Sequence, residues 1–153
     1  MSAGPARFSF DELRVGQQAG FETLVSEADI DAFAGVSGDV SPLHLDDGFA
    51  RSRGFAGRVV HGAYLTALVS RLVGVHLPGE SCLLQSVSMQ FRRPVAAGTR
   101  LAVTGTVDQM SEAVRSAVIK VAVQDLSSGE TAATGKATVG FTQPPATGGR
   151  SNG

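Results

Sequence analysis

The sequence has no tryptophan, only three histidines and a single cysteine among 153 residues. One cysteine excludes a disulfide within the chain and predicts a reducing compartment, so we expect the protein to be cytoplasmic. The N-terminal residues also lack the apolar core of a signal peptide. Cys82 lies in the apolar run Cys82-Leu83-Leu84, which predicts a buried thiol rather than a nucleophile.

The chain also lacks a strong charge of either sign. Thirteen Lys and Arg residues against fourteen Asp and Glu residues give a net charge of −1. This balance offers no electrostatic basis for nucleic acid as a partner. No stretch of about 18 uncharged apolar residues predicts a membrane span, since Arg71 interrupts the most apolar segment.

The composition that remains is that of one globular domain. Hydrophobic residues make up 42% of the chain and charged residues 18%, which is typical of a folded protein with a proper core. We expect a flexible N-terminal arm over residues 1–8, one domain over 9–142, and a disordered tail over 143–153.

The first part of the domain predicts a strand, a helix and a loop. The strand covers Ala19–Val25. Ser26 then lies three residues before Asp29, which is a variant of the capping box and predicts a helix over Glu27–Val36. Residues 39–47 are expected to form a loop, because the proline in this stretch disfavours helix at the residue before it.

A long apolar segment follows from Ala63 to Val75. It carries no polar stripe wide enough for a surface helix, so we predict a helix that is buried nearly all round. Thr66, Ser70 and Gly74 are spaced four apart and therefore form one line along the helix. We expect these small residues to let a sheet or a second helix approach closely.

The remaining sequence alternates between apolar and polar residues and predicts four strands. They cover residues 86–92, 101–107, 117–123 and 133–141. Short connections between them indicate an antiparallel meander. The predicted fold class is α+β, with an antiparallel sheet wrapped around a long central α-helix. Gly135 and the neighbouring alanines of the last strand are expected to leave room for that helix.

Few residues can carry acid–base chemistry. His76 ends the apolar helix, where a cation would favour the helix dipole, and we interpret it as structural. His44 lies five residues after Asp39, and a carboxylate with an imidazole is the minimum set for general acid–base catalysis near neutral pH. On spacing alone, such a pair in a loop is more often hydrogen-bonded scaffolding.

Gly62 adds a third element at the predicted start of the helix. Its amide would be unpaired there and could polarise a substrate carbonyl as an oxyanion hole. The alternative is that Gly62 only eases a tight start to the helix. We predict no metal site, because no histidine pair has ligand spacing and there is no cysteine cluster.

Three stretches of the chain carry a resemblance to a known family. They read Phe33-Ala34-Gly35-Val36-Ser37-Gly38-Asp39-Val40-Ser41-Pro42-Leu43-His44-Leu45-Asp46, then Gly57-Arg58-Val59-Val60-His61-Gly62, and then Phe91-Arg92-Arg93-Pro94-Val95. Together they resemble the MaoC-like, (R)-specific enoyl-CoA hydratase family, which has the hot-dog fold. The resemblance covers roughly residues 10 to 142.

The resemblance implies a hydro-lyase that interconverts trans-2-enoyl and (R)-3-hydroxyacyl thioesters. Asp39 and His44 would activate the water, and the Gly62 amide would polarise the thioester carbonyl. The substrate would be carried on CoA or on an acyl carrier protein, with no further cofactor. The family also implies a homodimer whose sheets join edge to edge, with the active sites near the interface.

Ser41 departs from the family pattern, which has asparagine at this position, and serine reaches less far toward a water. We assign Ser41, His61 and Tyr64 to substrate binding, although Tyr64 could equally be a core aromatic. Several arginines flank these stretches and could bind CoA phosphates or a carrier protein, although for any one of them a scattered surface position is the commoner explanation. They are Arg51, Arg53, Arg58, Arg92 and Arg93.

Two other functions stay open at this stage. A hot-dog thioesterase would use the same fold and amide to hydrolyse the thioester, although the Asp39–His44 spacing speaks against it. A non-catalytic partner subunit of a heterodimeric dehydratase would be expected to lack that pair. The sequence leaves open the acyl chain, the carrier, the physiological direction and the pathway.

Overall fold

The computed structural model describes residues 3–143. It contains a five-stranded antiparallel sheet and four α-helices, which confirms the α+β prediction. The strands are β1 Gln18–Val25, β2 Cys82–Phe91, β3 Thr99–Ser111, β4 Ser116–Asp125 and β5 Thr131–Phe141. The helices are α1 Glu27–Ser37, α2 Pro42–Leu45, α3 Asp47–Ser52 and α4 Gly62–Arg71. A π-helical segment, Leu72–His76, continues α4, and a 3-10 turn precedes β1 at Phe10–Glu12.

The strand order is β1-β3-β4-β5-β2, so the prediction of a four-strand meander was wrong for β2. Strands β3, β4 and β5 do form a meander, but β2 pairs with β5 instead of β3. Reaching β3 from β2 means crossing three strand spacings, about 14 Å. The connecting residues 92–98 cover that distance and bond to residues 58–60 on the way, through Val60 N to Val95 O and Ala97 N to Arg58 O.

The central helix is buried on one side only, which corrects the expectation of burial nearly all round. Leu65, Leu68 and Val69 face the sheet, whereas Ala63 and Ala67 are exposed. Alanine is apolar but small, so a helix face that contains Ala63 and Ala67 looks apolar in sequence although packing it would bury little surface. Thr66 and Gly74 are half-exposed and Ser70 is exposed, so the predicted line of small residues does not pack against the sheet.

Close contact between the helix and the sheet occurs at Gly105 instead. A Cβ on Gly105 would lie 2.9 Å from Cδ2 of Leu72 and 3.0 Å from Cγ2 of Ile119. Gly135 was expected to accommodate the helix, but a Cβ there would collide with Met89 and the carbonyl of Ser88 in β2. The glycine in β5 therefore makes room for the neighbouring strand.

Helix α1 follows its sequence signals closely. The Ser26 hydroxyl accepts from the Asp29 amide, the Asp29 carboxylate accepts from the Ser26 amide, and Gly38 ends the helix at φ 77°. The predicted loop over 39–47 was wrong in part, because Pro42 begins the one-turn helix α2. A proline disfavours helix at the preceding residue but suits the first position of a helix, since no partner is needed for its missing N–H.

Part of the predicted N-terminal arm is paired with the domain. The Ala6 amide donates to the Val75 carbonyl, the Phe8 amide donates to the Pro78 carbonyl, and the Glu80 amide donates to Ala6. Residues 6–8 are therefore not a loose arm, whereas residues 144–153 of the predicted tail lie outside the described residues. Among residues 3–143, the helices are too short to cross a bilayer.

Candidate active site

The loop that carries Asp39 and His44 is held by three residues of the segment Arg58–His61. Arg58 donates through Nε to the His44 carbonyl at 2.6 Å. The Val59 amide donates to the Leu43 carbonyl at 3.2 Å, and His61 Nε2 lies 3.0 Å from the Asp39 carbonyl. We call Arg58–His61 the template segment. It leads directly into Gly62, so it connects both sets of candidate catalytic groups.

The template segment also fixes the tautomer of His44. His44 Nδ1 lies 2.7 Å from the Val59 carbonyl, and a carbonyl only accepts, so this nitrogen carries the proton. In the neutral ring His44 Nε2 is therefore unprotonated, and it lies 3.9 Å from Oδ2 of Asp39. That separation is too long for a direct hydrogen bond but suits two groups that act on one substrate.

Arg58 is a structural residue, which corrects the assignment of this arginine to phosphate or carrier binding. Its side chain is 8% exposed and forms ion pairs with Asp31 and Glu27 of α1. Its own amide donates to Oδ1 of Asp47 at 2.9 Å. The guanidinium thus ties α1 to the backbone of His44 and is not available to a ligand.

Gly62 begins α4, with His61 at the N-cap position. Among the described residues the Gly62 amide makes no backbone hydrogen bond, as expected for the first turn of a helix. The ring of Phe91 covers this glycine, since a Cβ built on it would lie 3.2 Å from Cε2 of Phe91. The helix dipole places partial positive charge at the same point.

A cavity of about 300 Å³ lies between His44 and the start of α4. His44 and Gly62 both line it, with apolar walls and two arginines in the rest of the lining. The other lining residues are Val59, Val60, Leu65, Phe91, Arg92, Arg93, Pro94 and Val95. An imidazole and a free amide at one apolar cavity can move a proton and stabilise a developing oxyanion.

A larger groove of about 480 Å³ lies on the opposite face of the sheet. Its side chains are mainly threonine, serine and lysine, and the two lysines in it, Lys120 and Lys136, form ion pairs with Asp108. These pairs lower the pKa of Asp108, with the hydrogen bond from Lys120 as the largest cause. A carboxylate held ionised between two lysines is poorly suited to proton transfer.

Of the three predicted substrate-binding residues, His61 is 1% exposed and stacks on the His44 ring with centroids 3.8 Å apart. Tyr64 is not among the residues that line the cavity; it meets Phe33 edge to face at 5.7 Å, and burial raises the pKa of its phenol. Ser41 is exposed, and its amide donates to Oδ1 of Asp39 at 3.2 Å.

The fold brings Asp39, His44 and His61 close enough to hold a metal ion, which the sequence spacing did not suggest. One potential ligand atom from each lies within 4.8 Å of the others. Both rings, however, use one N–H on a backbone carbonyl. A metal here would need the lone pair on His44 Nε2 that acid–base chemistry also needs.

The remaining arginines divide by location. Arg92 and Arg93 line the cavity, although Arg93 also pairs with Glu130 at 2.9 Å. Arg53 stacks over Phe49 at 4.8 Å, and Arg51 donates to the Ala56 carbonyl at 3.3 Å. Of these four arginines, Arg92 and Arg93 are therefore the two that line the cavity.

Two further side chains are unsuited to catalysis. Burial raises the pKa of the Cys82 thiol to about 11, so the nucleophilic thiolate is scarce at neutral pH. Burial, and then the nearby Arg71, lower the pKa of His76, which stacks on Phe21 at 4.9 Å. His76 is structural, as predicted, but as a neutral ring rather than as a cation at the helix end.

Sequence reasoning missed Phe91 and the Val59 carbonyl as parts of the site. The Phe91 signal was present, since an aromatic residue stood at the end of a strand directly before Arg92. The role of Val59 lies in its backbone oxygen, which any residue would supply, so the side chain gave no signal.

The fold and the site define an α+β hot-dog protein with a histidine and a carboxylate beside a helix N-terminus. Residues 12–131 match the MaoC-like domain family, and the chain belongs to that family. The resemblance stated from the sequence is thus confirmed.

Named relatives and a solved structure agree with this family. The (R)-specific enoyl-CoA hydratase of Rhodospirillum rubrum is 34% identical over 98 residues, which are 64% of this chain and 68% of that protein. The enzyme of the same name from Aeromonas caviae is 40% identical over 90 residues, 59% of this chain and 67% of its own length. The unliganded R-hydratase of Pseudomonas aeruginosa superposes with a TM-score of 0.86 at 29% identity, covering 93% of this chain and 90% of that one.

The role of Arg58 leads to a stability prediction. Arg58→Met removes the donor to the His44 carbonyl and the pairs with α1, and we expect the free energy of unfolding to fall by about 1.5–3 kcal/mol. Arg100→Met is the matched control, because Arg100 forms an exposed pair with Glu22 at 3.2 Å, and it should change stability by about 1 kcal/mol or less. Urea unfolding of both variants measures the difference. Equal losses would show that Arg58 does no more than a surface arginine.

Proposed function

We propose that this protein is a hydratase/dehydratase that interconverts trans-2-enoyl and (R)-3-hydroxyacyl thioesters. The observation that carries the proposal is the cavity that His44 and Gly62 both line, together with the 3.9 Å separation between His44 Nε2 and the Asp39 carboxylate. Family membership and the names of the relatives support the same reaction class.

In this proposal the Gly62 amide binds the thioester carbonyl oxygen. An enoyl thioester becomes electrophilic at C3 when negative charge can collect on that oxygen, and the proton on C2 of the hydroxyacyl form becomes removable for the same reason. The amide at the start of α4 and the positive end of the helix dipole both stabilise this enolate-like charge. The ring of Phe91 forms an apolar wall beside Gly62.

Asp39 and His44 then divide the proton transfers. During hydration the Asp39 carboxylate accepts a proton from the water as its oxygen bonds to C3. The His44 imidazolium donates from Nε2 to C2, and dehydration reverses both steps with the same groups. We assign the water or the C3 hydroxyl to Asp39 and the C2 proton to His44. These residues supply every group the reaction needs, so no cofactor beyond the thioester carrier is proposed.

The carrier and the compartment belong to the same proposal. Arg92 and Arg93 at the cavity would meet the phosphates of CoA or the acidic surface of an acyl carrier protein. The cytoplasm is the proposed compartment, because a single cysteine offers no disulfide within the chain.

We also propose that two copies of the chain form a dimer through β2. This strand lies at an edge of the sheet and exposes 55% of Leu83 and 51% of Phe91. An apolar edge strand with unpaired backbone groups favours pairing with another strand. Because Phe91 also lines the cavity, the second copy would approach each active site.

The acid–base pair is tested by removing each group in turn. We expect Asp39→Asn and His44→Ala to lower kcat for crotonyl-CoA hydration by about 100-fold or more. Loss of the enoyl absorbance measures hydration, and release of free thiol measures thioester hydrolysis. Thiol release without loss of the enoyl chromophore would identify a thioesterase instead. Unchanged hydration in both variants would remove the pair from the mechanism.

The oxyanion role of Gly62 is tested by Gly62→Pro, which removes the amide N–H. The fold should tolerate this change, because His61 already has φ −56° and ψ 133°, the region that a following proline requires. We expect kcat to fall by about 100- to 1000-fold. Gly62→Ala keeps the N–H and adds the same Cβ against Phe91, so it controls for the steric effect. Equal activity of the two variants would mean that the amide is not the donor.

The dimer is tested at the two edges of the sheet. Leu83→Lys on β2 should convert the dimer to a monomer, because it places a charge at the proposed interface. Leu24→Lys on β1 is the matched control, since Leu24 is 48% exposed on the opposite edge, and it should remain dimeric. Light scattering measures the mass. A monomeric wild-type protein, or a monomer only in the Leu24→Lys variant, would contradict the proposed interface.

A further inference from the structure

Asp39 has little to hold it in place apart from one contact. Its side chain is 49% exposed. Its amide donates to the Ser37 hydroxyl at 3.1 Å and its carboxylate accepts from the Ser41 amide at 3.2 Å, so both contacts stay within two residues. Among the hydrogen bonds of the described residues, the one from His61 to the Asp39 carbonyl alone ties this residue to another element.

His61 is well placed to act as an anchor. It is 1% exposed and immediately precedes Gly62 at the N-cap of α4. Its hydrogen bond to Asp39 therefore sets the position of the carboxylate relative to the Gly62 amide. In the proposed reaction the Gly62 amide binds the carbonyl oxygen on C1 of the thioester, and the Asp39 carboxylate acts at C3. The distance between these two groups must therefore match the distance between C1 and C3 of the substrate. A displacement of about 1 Å between such groups can cost about 100-fold in rate.

The ring of His61 has a second contact with the reaction centre. It stacks on the imidazole of His44 at 3.8 Å with an angle of 26° between the rings. His61 Nδ1 is buried and has no hydrogen-bond partner among the described residues. A carbonyl only accepts, so His61 Nε2 carries a proton and donates it to the Asp39 carbonyl.

We propose that His61 is a positioning residue for the acid–base pair. Its Nε2–H holds the Asp39 carbonyl, and its ring face supports His44, without contact with the substrate. This inference rests on the proposed hydratase/dehydratase function and assigns a role to a buried residue of that site.

Two variants separate the hydrogen bond from the ring. His61→Gln keeps an N–H donor of similar reach but loses the ring face, whereas His61→Phe keeps an aromatic ring but loses the donor. His76→Phe is the matched control. His76 also stacks on an aromatic ring and has an unpartnered buried nitrogen, Nε2, but it lies at the far end of the central helix.

We expect His61→Phe to lower kcat for crotonyl-CoA hydration by about 100-fold, with KM within about threefold of the wild type. His61→Gln should recover most of that loss, and His76→Phe should retain wild-type kcat. A substrate-binding role would instead raise KM. Equal losses of kcat in His61→Gln and His61→Phe would overturn the role of the hydrogen bond, and wild-type kcat in His61→Phe would overturn the whole inference.

A measurement that needs no turnover distinguishes failure of this inference from failure of the proposed function. Hydrogen exchange followed by mass spectrometry should show faster exchange of residues 39–44 in His61→Phe than in the wild type, with His61→Gln close to wild type. If the wild type hydrates no enoyl thioester but exchange follows this pattern, the proposed function fails and the anchoring of Asp39 stands. Unchanged exchange in His61→Phe would show that His61 does not hold the loop.

Discussion

The loop that carries Asp39 and His44 depends on hydrogen bonds from a neighbouring segment of the chain. Residues 39–44 contain too few helical turns and too little buried apolar surface to fix their own conformation, and Asp39 and Ser41 are exposed. The template segment fixes the loop by donating hydrogen bonds to three of its carbonyls, those of His44, Leu43 and Asp39. The same segment is held from its other side by the β2–β3 connection, through Val60 and Ala97. The unexpected position of β2 and the geometry of the site therefore have one origin, because that connection pairs with the template segment instead of forming a hairpin.

Local signals in the sequence predicted the elements well and their arrangement less well. Ser26, Asp29 and Gly38 determine α1 through contacts within a few residues, so the sequence was sufficient there. Strand alternation located each strand but carried no information on which strands pair, since β2 has the same period whether it joins β3 or β5. Exposure of one face of α4 was missed for a related reason, because alanine is apolar whether or not anything packs against it.

In the candidate site too, the sequence identified residues by their chemistry better than it located them in the fold. Asp39, His44 and Gly62 could be chosen from their side chains and from the expected helix start, and the family resemblance joined them into one site. The sequence predicted that His61 binds substrate and that Arg58 could bind a phosphate, because polar residues next to a site are often ligand-binding residues. Burial decides otherwise, since side chains that are 1% and 8% exposed have little surface left for a ligand. Their partners are carbonyl oxygens and the carboxylates of α1, which no sequence pattern specifies.

The contacts of Ser41 show what changes when serine stands in place of the family's asparagine. Its link to Asp39 is made by its backbone amide, which asparagine or serine would supply equally. Its side chain makes no capping hydrogen bond to α2 and is exposed beside Asp39. Serine at this position therefore leaves the Asp39 carboxylate where asparagine would leave it. The serine hydroxyl, however, extends less far than an asparagine amide into the space beside that carboxylate. The departure bears on how a water or a C3 hydroxyl is held, while the geometry of Asp39, His44 and Gly62 is set by the template segment.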